Sequence, residues 1–403
     1  EATVELDIKG ANLQALGLMD RNVKTGMKVF ANFKGNSANY DVSTHIDNGV
    51  VIYDNRTYLL GDLKAMAHVD KDTTSVTITN KMLNLILQSN TDPKTFSSSL
   101  RRHVLSYFYD DERAPDSISR PVNLKLEGRI SESPVLNDVF LVNVKDLDTI
   151  NVSVRYSEKA RTLNANITAP HINYSDNKLD SLAFSMSTDP NNFKFDLGFK
   201  NISAGPLEVP KTIITGDQTD TGFLLNFLGY HNKKTLMNVN TKITSYPKGL
   251  RFTVLPDSLI LNKKKWIIPD SNEVIITDKN FEYKDFKITH GEQSIEITDK
   301  LNTISKSHMA VAFNNFSISE FFSYFNPEAR IANGQLNGDF IIVDPFRDTG
   351  IIADLNIQQL EVLQTDLGTL KIDAKSLGDS NYDFNATLKE GDIDLDLVGD
   401  YTV

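Results

Sequence analysis

Histidine is the side chain most often used for metal binding and acid–base chemistry, and this chain has seven. They are His45, His68, His103, His171, His231, His290 and His308. No two of them stand at the H-x-x-x-H spacing that brings two imidazoles to one face of a helix. We therefore predict that the histidines occupy surface or turn positions and hold no metal.

Two short acidic runs, Asp110–Glu112 and Asp392–Asp396, have the residue types of a calcium site. The aspartates of the second run alternate with apolar residues, which is the spacing of the outer face of a strand. The basic run Lys263–Lys265 stands before Trp266, and we interpret it as a solvated turn rather than a clamp for lipid headgroups.

Motifs for covalent and phosphate chemistry are missing from the sequence. The chain has no cysteine, which excludes thiol catalysis, disulfides, zinc–thiolate sites and iron–sulfur clusters. It also has no G-x-S-x-G motif, no P-loop and no dinucleotide fingerprint. We predict that the protein is not an enzyme and needs no cofactor.

The overall charge narrows the possible partners. The chain has 403 residues and a formal net charge of -11, which argues against nucleic acid and against electrostatic docking on an anionic bilayer. No run of 18 apolar residues is present. Both ends fall in or beside alternating strand patterns, so we expect the chain to be part of a longer polypeptide.

Alternation of apolar and polar residues dominates the sequence, as in Val4/Leu6/Ile8 and Phe193/Phe195/Leu197. This pattern predicts antiparallel strands with one apolar face and one wetted face. Helical spacing is confined to two segments, one near 95–109 and one near 317–325. In the second, Ser317 and Glu320 have the spacing of a capping box.

A degenerate repeat starts at Val51, Ile172 and Leu360. Each copy has a short apolar run, a polar turn and a strand that leads into a further hairpin. The uneven spacing predicts stacked hairpin modules rather than a solenoid of fixed period.

The apolar strand faces need a cover, and the predicted helices are too few to provide it. A chain of this size built as β-sandwiches would have several linkers, but only Asp110–Arg120 resembles one. We therefore expect one long sheet that curls so that its apolar faces look at each other and enclose a trough for hydrocarbon.

Several segments in their order resemble the TamB family, large AsmA-like proteins of the Gram-negative envelope. In the last third these are Gly334–Phe340, Asp344–Phe346, Asp354–Ile357, Leu367–Leu370 and Asp396–Tyr401. Further upstream, Leu261–Trp266 and Ile268–Asn272 look like the tryptophan–asparagine element of that family. Gln293–Ile297 fits the segment that usually comes after this element, and Gly10–Leu18 has the family's strand-and-turn style.

This resemblance implies a curved β-sheet with an apolar inner surface, called a β-taco. It also implies a periplasmic protein that extends from an inner-membrane anchor toward the outer membrane, where an Omp85-type barrel is the partner. The anchor and the docking region, and with them the membrane contacts, would lie outside this sequence. The implied role is bridge-like phospholipid transport between the two membranes in support of outer-membrane biogenesis.

The predicted fold is all-β: an elongated, curved, mostly antiparallel sheet that forms a U-shaped apolar groove with one or two short capping helices. We expect groove modules at 1–114, 115–330 and 331–403. The residues predicted to line the groove are the inward members of the alternating strands: Val4, Leu6, Ile8, Leu63, Ala65, Leu124, Leu126, Val152, Val154, Phe184, Phe195, Leu197, Ile372, Phe384, Leu395 and Leu397.

Two other functions fit the same patterns. The chain could be a periplasmic assembly or chaperone module that offers sheet edges to outer-membrane β-barrel proteins. It could also be a surface adhesin of tandem β-sandwiches, which would yield separable compact domains on limited proteolysis. In both cases the apolar residues would pack in ordinary cores or serve only to hold the sheet.

Overall fold

A computed structural model of the chain describes residues 1–109, 120–140, 143–347, 349–376 and 381–402. The chain forms two compact units: unit 1 contains Glu1–Tyr107 and Asp111–Lys200, and unit 2 contains Phe108–Asp110 and Asn201–Val403. Long antiparallel sheets with a few short helices make up both units, so the predicted all-β class is confirmed. The modules 1–114, 115–330 and 331–403 stay predictions, and both the boundary at 114 and the linker-like run after Tyr109 lie outside the described residues.

The described part of unit 1 contains twelve strands and one α-helix. The strands are β1 (Ala2–Asn12), β2 (Lys24–Gly35), β3 (Tyr40–Tyr53), β4 (Arg56–Val69), β5 (Thr74–Thr79), β6 (Leu83–Ser89), β7 (Asn123–Ile130), β8 (Val144–Leu147), β9 (Ile150–Ser157), β10 (Thr162–Tyr174), β11 (Asn177–Thr188) and β12 (Phe193–Phe199). The helix is α1 (Pro93–Leu105).

Strands of unit 1 pair almost in sequence order. From β1 to β7 each strand is antiparallel to the next, and β7 then pairs with β9, β9 with β10, β10 with β11 and β11 with β12. The short strand β8 pairs with the end of β10 beyond β9. With neighbouring strands about 4.8 Å apart, the eleven-strand ladder from β1 to β12 extends for about 48 Å.

Unit 2, over its described residues, contains eighteen strands and one α-helix. The strands are β13 (Asn201–Ala204), β14 (Leu207–Val209), β15 (Thr212–Thr219), β16 (Gly222–His231), β17 (Lys234–Tyr246), β18 (Gly249–Val254), β19 (Ile260–Leu261), β20 (Lys264–Lys265), β21 (Glu273–Thr277), β22 (Phe281–Lys284), β23 (Phe286–His290), β24 (Gln293–Thr298), β25 (His308–Ser317), β26 (Ala332–Val343), β27 (Gly350–Val362), β28 (Thr365–Lys375), β29 (Asn381–Lys389) and β30 (Leu395–Thr402). The helix is α2 (Ser319–Phe325).

Two ladders run through unit 2. The first follows β15, β16, β17, β18, β21 and β22, with the small hairpin β19–β20 attached to β17. The second runs from β23 to β30 in strict sequence order. Consecutive antiparallel pairing of this kind needs only short turns, which the polar and glycine-containing connections of the sequence supply.

The repeat seen in the sequence corresponds to three tight hairpins. Tyr53 pairs with Arg56, Tyr174 with Asn177 and Val362 with Thr365. Each hairpin turns on two residues with positive φ: Asp54–Asn55, Ser175–Asp176 and Leu363–Gln364. Turns of this type match the right-handed twist of the strands, so one local solution recurs in both units.

Helix α1 begins earlier than the predicted start near residue 95. Asp92 caps the helix by accepting hydrogen bonds from the backbone N–H groups of Lys94 and Thr95, and Pro93 fills the first turn. A proline in the first turn removes no helical hydrogen bond because that N–H has no partner inside the helix. The Asp-Pro pair was therefore the signal for the start of this helix.

The predicted capping box of α2 does not form. The cap position is Ile318, and Ser317 bonds instead to Ser319, with 2.7 Å between their Oγ atoms. Glu320 turns inward to an ion pair with Lys264 because tertiary contacts outcompete the local cap. Neither α1 nor α2 is long and apolar enough to cross a bilayer, and the described residues contain no other helix that is.

The largest hydrophobic cluster of unit 2 is centred on Trp266, which is fully buried. Next to it, the fully buried Asn272 satisfies three backbone groups. Its Nδ2 donates to the carbonyl oxygens of Val254 and Pro269, at 2.8 and 2.7 Å, and its Oδ1 accepts from the N–H of Val254 at 2.8 Å. Asn272 thus fastens the end of β18 to the segment that carries Trp266.

Replacement of Asn272 by alanine should destabilise unit 2 by about 2–4 kcal/mol, since buried backbone groups then lose their partners. Trp266 is the only tryptophan of the chain. Its fluorescence during urea unfolding therefore reports unit 2. The neighbouring exposed Ser271, changed to alanine, should shift the free energy of unfolding by less than about 0.5 kcal/mol. Equal effects of the two substitutions would contradict this role of Asn272.

Candidate functional site

The strand registers of unit 1 bring the predicted lining residues onto one sheet face. Directly paired residues of antiparallel strands point to the same side. One unbroken row crosses eleven strands, and we call it the central row: Val4, Ala31, Thr44, Ala65, Ile78, Leu85, Gly128, Val152, Ile167, Phe184 and Leu197.

A second row lies two residues away along each strand, and we call it the flanking row: Ala2, Phe33, Val42, Ala67, Val76, Leu87, Leu126, Val154, Ala165, Met186 and Phe195. Apart from Thr44 and Gly128, both rows contain only apolar side chains. Together they form the apolar strip, a continuous hydrophobic surface on one face of the unit 1 sheet.

All the predicted lining residues of unit 1 lie on this face. Each either belongs to the strip or lies an even number of residues along its strand from a member of the strip. Val4, Ala65, Val152, Phe184 and Leu197 belong to the central row, and Leu126, Val154 and Phe195 belong to the flanking row. Leu6 and Leu63 share a third row, in which Leu6 pairs with Val29, Val29 with Ile46 and Ile46 with Leu63. Ile8 and Leu124 continue the same face nearer the strand ends.

Burial separates the predicted residues of unit 1 into three groups. Leu124 is buried as part of a packed cluster, as an ordinary core residue would be. Ile8, Leu63, Ala65, Leu126, Val152, Val154, Phe184, Phe195 and Leu197 are half-buried, and Val4 and Leu6 expose 44% and 47% of their surface. These side chains have neighbours on the adjacent strands of the sheet but remain partly accessible to solvent. The protein layer that packs on this face of the sheet is therefore incomplete.

Helix α1 covers one border of the apolar strip. Its Phe96, Leu100 and Val104 pack on a cluster that contains Leu124 and Tyr156. These helix residues are spaced by four, so a single stripe of the helix faces the sheet. The prediction of a short helix that caps the sheet agrees with this contact.

The other border is covered by a loop and a short π-helix, Leu136–Phe140, neither of which was predicted. Val23, Val135 and Val139 are buried there against β3 and β4, and Leu83 of β6 packs on the same cluster. On β6 the covered residues Leu83 and Leu87 enclose Leu85 of the central row. Leu83 and Leu87 lie about 13 Å apart along the strand, so at β6 the two covers leave only Leu85 of this face between them.

A buried polar network fixes α1 on the sheet. The Ser99 hydroxyl donates to Glu158 Oε1 at 2.7 Å, and Glu158 Oε2 accepts the backbone N–H of Val122 at 2.9 Å. One helical turn on, His103 Nε2 lies 2.8 Å from Thr188 Oγ1. Ser99 and His103 thus bind different partners rather than each other. Their hydrogen bonds serve to anchor the helix.

Burial lowers the pKa of His103 from 6.5 to about 4, and the positive charge of Arg161 adds to this effect while Glu158 opposes it. The imidazole is therefore neutral at physiological pH. This buried position, together with the buried His308, corrects the expectation that all seven histidines lie at the surface or in turns. A lone histidine carries no sequence signal for burial, so only the packing of α1 reveals it.

Three other histidines of unit 1 stand on or near strands beside aspartates. His45 lies 2.7 Å from Asp47, His68 Nδ1 lies 2.6 Å from Asp41, and His171 Nδ1 lies 2.5 Å from Asp180. The hydrogen bond that Asp41 accepts from the imidazole raises the pKa of His68, with Asp70 contributing in the same direction. These pairs lie at solvent-accessible positions and contribute little to stability.

The opposite face of the unit 1 sheet is mostly polar and carries two shallow cavities. One, of about 470 Å³, is lined by Asn84, Glu127, Arg129, Asn151 and Asn166 among others. The second, of about 310 Å³, lies between Glu5, Phe30, His45, Lys64 and Met66. The alternating pattern assigned this face to solvent and did not predict cavities there.

In unit 2 the four remaining predicted residues also share a face. Leu397 pairs with Ala386, Ala386 with Ile372, and Ile372 with Leu355. Phe384 stands in the adjacent row beside Ala374, and Leu395 pairs with Leu388. Ile372 and Phe384 are half-buried, while Leu395 and Leu397 are about half exposed.

Part of this face is closed by protein. The Trp266 cluster joins residues of both unit 2 ladders, including Phe227 and Val239 from the first ladder and Ile295, Phe313 and Leu355 from the second. The apolar faces are therefore packed around Trp266 like a conventional core. The predicted lining residues Ile372, Phe384, Leu395 and Leu397 lie outside that cluster.

The acidic runs give no cation site among the described residues. Asp394 and Asp396 lie 3.7 and 2.8 Å from Lys389 Nζ, so a lysine already compensates their charge. The hydrogen bond and charge of Asp396 raise the pKa of this lysine. The run Asp110–Glu112 lies outside the described residues.

Comparison with known proteins gave no matching family model, no matching curated protein and no matching solved structure. The resemblance to the TamB family consequently stays a prediction from the motifs.

Acidification should loosen α1 through His103. The unfolded chain binds a proton at His103 near pH 6.5 and the folded chain only near pH 4, so folding stability falls as the pH decreases between these values. His103→Gln should remove about 2–3 kcal/mol of this pH dependence while it keeps a hydrogen-bonding group near Thr188. Hydrogen exchange of the α1 amides at pH 7 and pH 4.5 measures the effect. His45→Gln is the control, and parallel pH profiles for wild type and His103→Gln would refute the assignment.

Proposed function

We propose that this protein is a non-enzymatic lipid conduit in which acyl chains lie on the apolar strip of unit 1. The observation that carries the proposal is the continuous central row across eleven strands, whose members are half-buried except for the exposed Val4. The middle of the central row, from Ile78 to Phe184, belongs to none of the hydrophobic clusters formed by the described residues. These side chains are apolar, regular and available to a ligand.

The free energy for such binding comes from hydrocarbon that leaves water. Each buried methylene contributes about 0.8 kcal/mol, so a sixteen-carbon chain gains roughly 12 kcal/mol before the cost of ordering it. The central and flanking rows contain no charged side chain. A chain on this strip would therefore meet no charged group, and apart from Thr44 one position would be nearly equivalent to the next.

The covers on both borders support a path along the rows rather than a closed pocket. At β6 the covers would confine an acyl chain to the space around Leu85, between the covered Leu83 and Leu87, while the central row continues across the strands on both sides. A confined but extended apolar surface suits movement along one direction. Phospholipid is the proposed cargo because its acyl chains fit the strip and its headgroup can remain in water.

The setting of this activity rests on the motif resemblance to the TamB family. By that resemblance the protein would act in the periplasm, between an inner-membrane anchor and an Omp85-type barrel in the outer membrane, and serve outer-membrane biogenesis. The fold and the apolar strip are compatible with this setting.

A matched pair of substitutions on β10 tests the conduit. Ile167 points to the apolar face between Val152 and Phe184, and the next residue, Thr168, points to the polar face between Asn151 and Ala183. Ile167→Asp should reduce the phospholipid that is extracted from the purified protein by about tenfold, since a carboxylate in the strip must stay hydrated. Thr168→Asp should retain the wild-type amount, measured by mass spectrometry of the extract.

The outcomes separate the candidate functions. Absence of phospholipid in wild type, or equal loss in both variants, would count against the conduit. If both Ile167→Asp and Thr168→Asp preserved the cellular function of the full-length protein, an assembly role through sheet edges would be favoured instead.

A further inference from the structure

The polar face of the unit 1 sheet carries three apolar side chains at positions where the alternating pattern has polar ones. Phe30 exposes 39% of its surface, Met66 55% and Ile86 36%. Phe30 and Met66 line the cavity of about 310 Å³ on this face, and Ile86 lines the cavity of about 470 Å³. Exposed apolar side chains that stand in cavities among hydrogen-bonding groups are typical of ligand-binding surfaces.

An unbroken line of direct strand pairs joins the two cavities, and we call it the polar-face row. It contains Thr3, Asn32, Ser43, Met66, Thr77, Ile86, Glu127, Ser153 and Asn166. The first four members line the smaller cavity and the last four line the larger one, so only Thr77 lies between them. With strands about 4.8 Å apart, the nine-strand row extends for about 38 Å. The two cavities are therefore parts of one extended surface.

Phe30 forms a flat platform in the smaller cavity. It pairs directly with Glu5 on one side and His45 on the other, and Asn32 stands two residues along the same strand. Lys64 is the direct partner of His45. Side chains opposite each other on paired strands have Cβ atoms about 5 Å apart, so carboxylate, imidazole and amide groups surround the ring. A flat ligand that packs on the ring meets hydrogen-bonding groups at its edges.

Several hydrogen-bonding groups of this surface are not used by the protein itself. The side chains of Ser43, Ser153 and Asn166 form no hydrogen bond within the described part of the chain. Asn32 donates from Nδ2 to Thr3 Oγ1 at 2.9 Å, which leaves its Oδ1 as an acceptor. These hydroxyl and amide groups supply both donors and acceptors, as a ligand with many hydroxyl groups requires.

The charges that line the two cavities are balanced. Each cavity has one carboxylate and one cation: Glu5 with Lys64 in the smaller, and Glu127 with Arg129 in the larger. His45 lies 2.7 Å from its own carboxylate partner, Asp47. Beside the larger cavity, Lys125 and Arg155 are engaged with Glu127 at 3.1 and 3.0 Å. A strongly charged ligand therefore finds no cluster of opposite charge here, and the surface favours a neutral one.

We infer that this surface binds a neutral oligosaccharide whose sugar rings lie along the polar-face row. A pyranose ring has a face of C–H groups, which packs on Phe30, Met66 and Ile86, and an edge of hydroxyl groups, which exchange hydrogen bonds with the amides and hydroxyls between them. An acyl chain, in contrast, leaves these polar groups without partners. A sugar unit is about as long as the 4.8 Å between neighbouring strands, so successive rings meet successive strands.

Titration calorimetry with maltohexaose, chitohexaose and cellohexaose tests the inference. At least one of the three should bind the wild-type chain with a Kd below about 1 mM. Phe30→Ala should weaken that binding about tenfold because the ring no longer has its platform. Phe30→Tyr keeps the aromatic face and should retain the affinity to within about threefold.

Ile86→Ala tests whether the ligand follows the row. Ile86 lies four strands from Phe30, at about 19 Å, which a hexasaccharide spans and a trisaccharide does not. The substitution should weaken binding of the hexasaccharide at least about threefold and leave binding of the trisaccharide of the same sugar unchanged. Wild-type affinity of Ile86→Ala for the hexasaccharide would contradict the path along the row.

Phe33 provides a matched control on the same strand. It exposes 42% of its surface, close to the value for Phe30, but it belongs to the flanking row on the opposite face. Phe33→Ala should therefore bind the saccharide like wild type. Circular dichroism during thermal unfolding verifies that each variant is folded.

Three results would overturn the inference: none of the three hexasaccharides binds with a Kd below about 1 mM, Phe30→Ala binds like wild type, or Phe30→Ala and Phe33→Ala lose binding equally. The conduit is tested separately. Ile167→Asp should bind the saccharide like wild type, and Phe30→Ala should retain the wild-type amount of extracted phospholipid, because Ile167 and Phe30 point to opposite faces of the sheet.

Discussion

The alternation of side chains along paired strands is the constraint on which the rest of this structure depends. In a strand, successive residues point to opposite faces, and antiparallel pairing keeps directly opposed residues on the same face. A shift of one residue in any strand would move its apolar set to the polar side. The unbroken central and flanking rows show that eleven strands keep a common register. Each apolar side chain is thereby added to one continuous surface.

A sheet with one apolar face needs that face covered, either by other parts of the protein or by a ligand. The two units differ in how completely protein covers the face. In unit 1, α1 and the Leu136–Phe140 segment pack on the two borders and leave the middle rows half-buried. In unit 2, Trp266 and its neighbours fill the face between strands of both ladders. The contrast matters for function because only an incompletely covered face has room for hydrocarbon, whereas a packed core is specified by its own side chains.

The buried charged and polar groups of this protein mainly hold helices α1 and α2 in position. Glu158 is nearly buried, yet Ser99 and the backbone N–H of Val122 satisfy both of its oxygens. Under α2, Lys264 pairs with Oε1 of the fully buried Glu320, while Oε2 has no hydrogen-bond partner among the described residues. Buried carboxylates of this kind hold a helix in one position because any displacement leaves a charge without its partners.

The sequence by itself determined the fold class and the face on which each predicted residue lies. Alternation is a local property, and a side chain such as Val152 or Ile372 can be assigned to a face from its immediate neighbours alone. The Asp54–Asn55 and Ser175–Asp176 turns were equally legible because a two-residue hairpin needs residues that tolerate positive φ, whereas Leu363 of the third turn gave no such signal.

Which apolar residues are covered was decided only by the tertiary structure. Leu124 and Leu126 are indistinguishable in the sequence, but α1 buries the first and leaves the second half-buried. Ser317 and Glu320 had the spacing of a capping box, yet Glu320 is directed to Lys264 by a contact between residues 56 positions apart. Whether an apolar residue is buried depends on which distant segment packs on it. The periodicity of residues along a single strand contains no information about that segment.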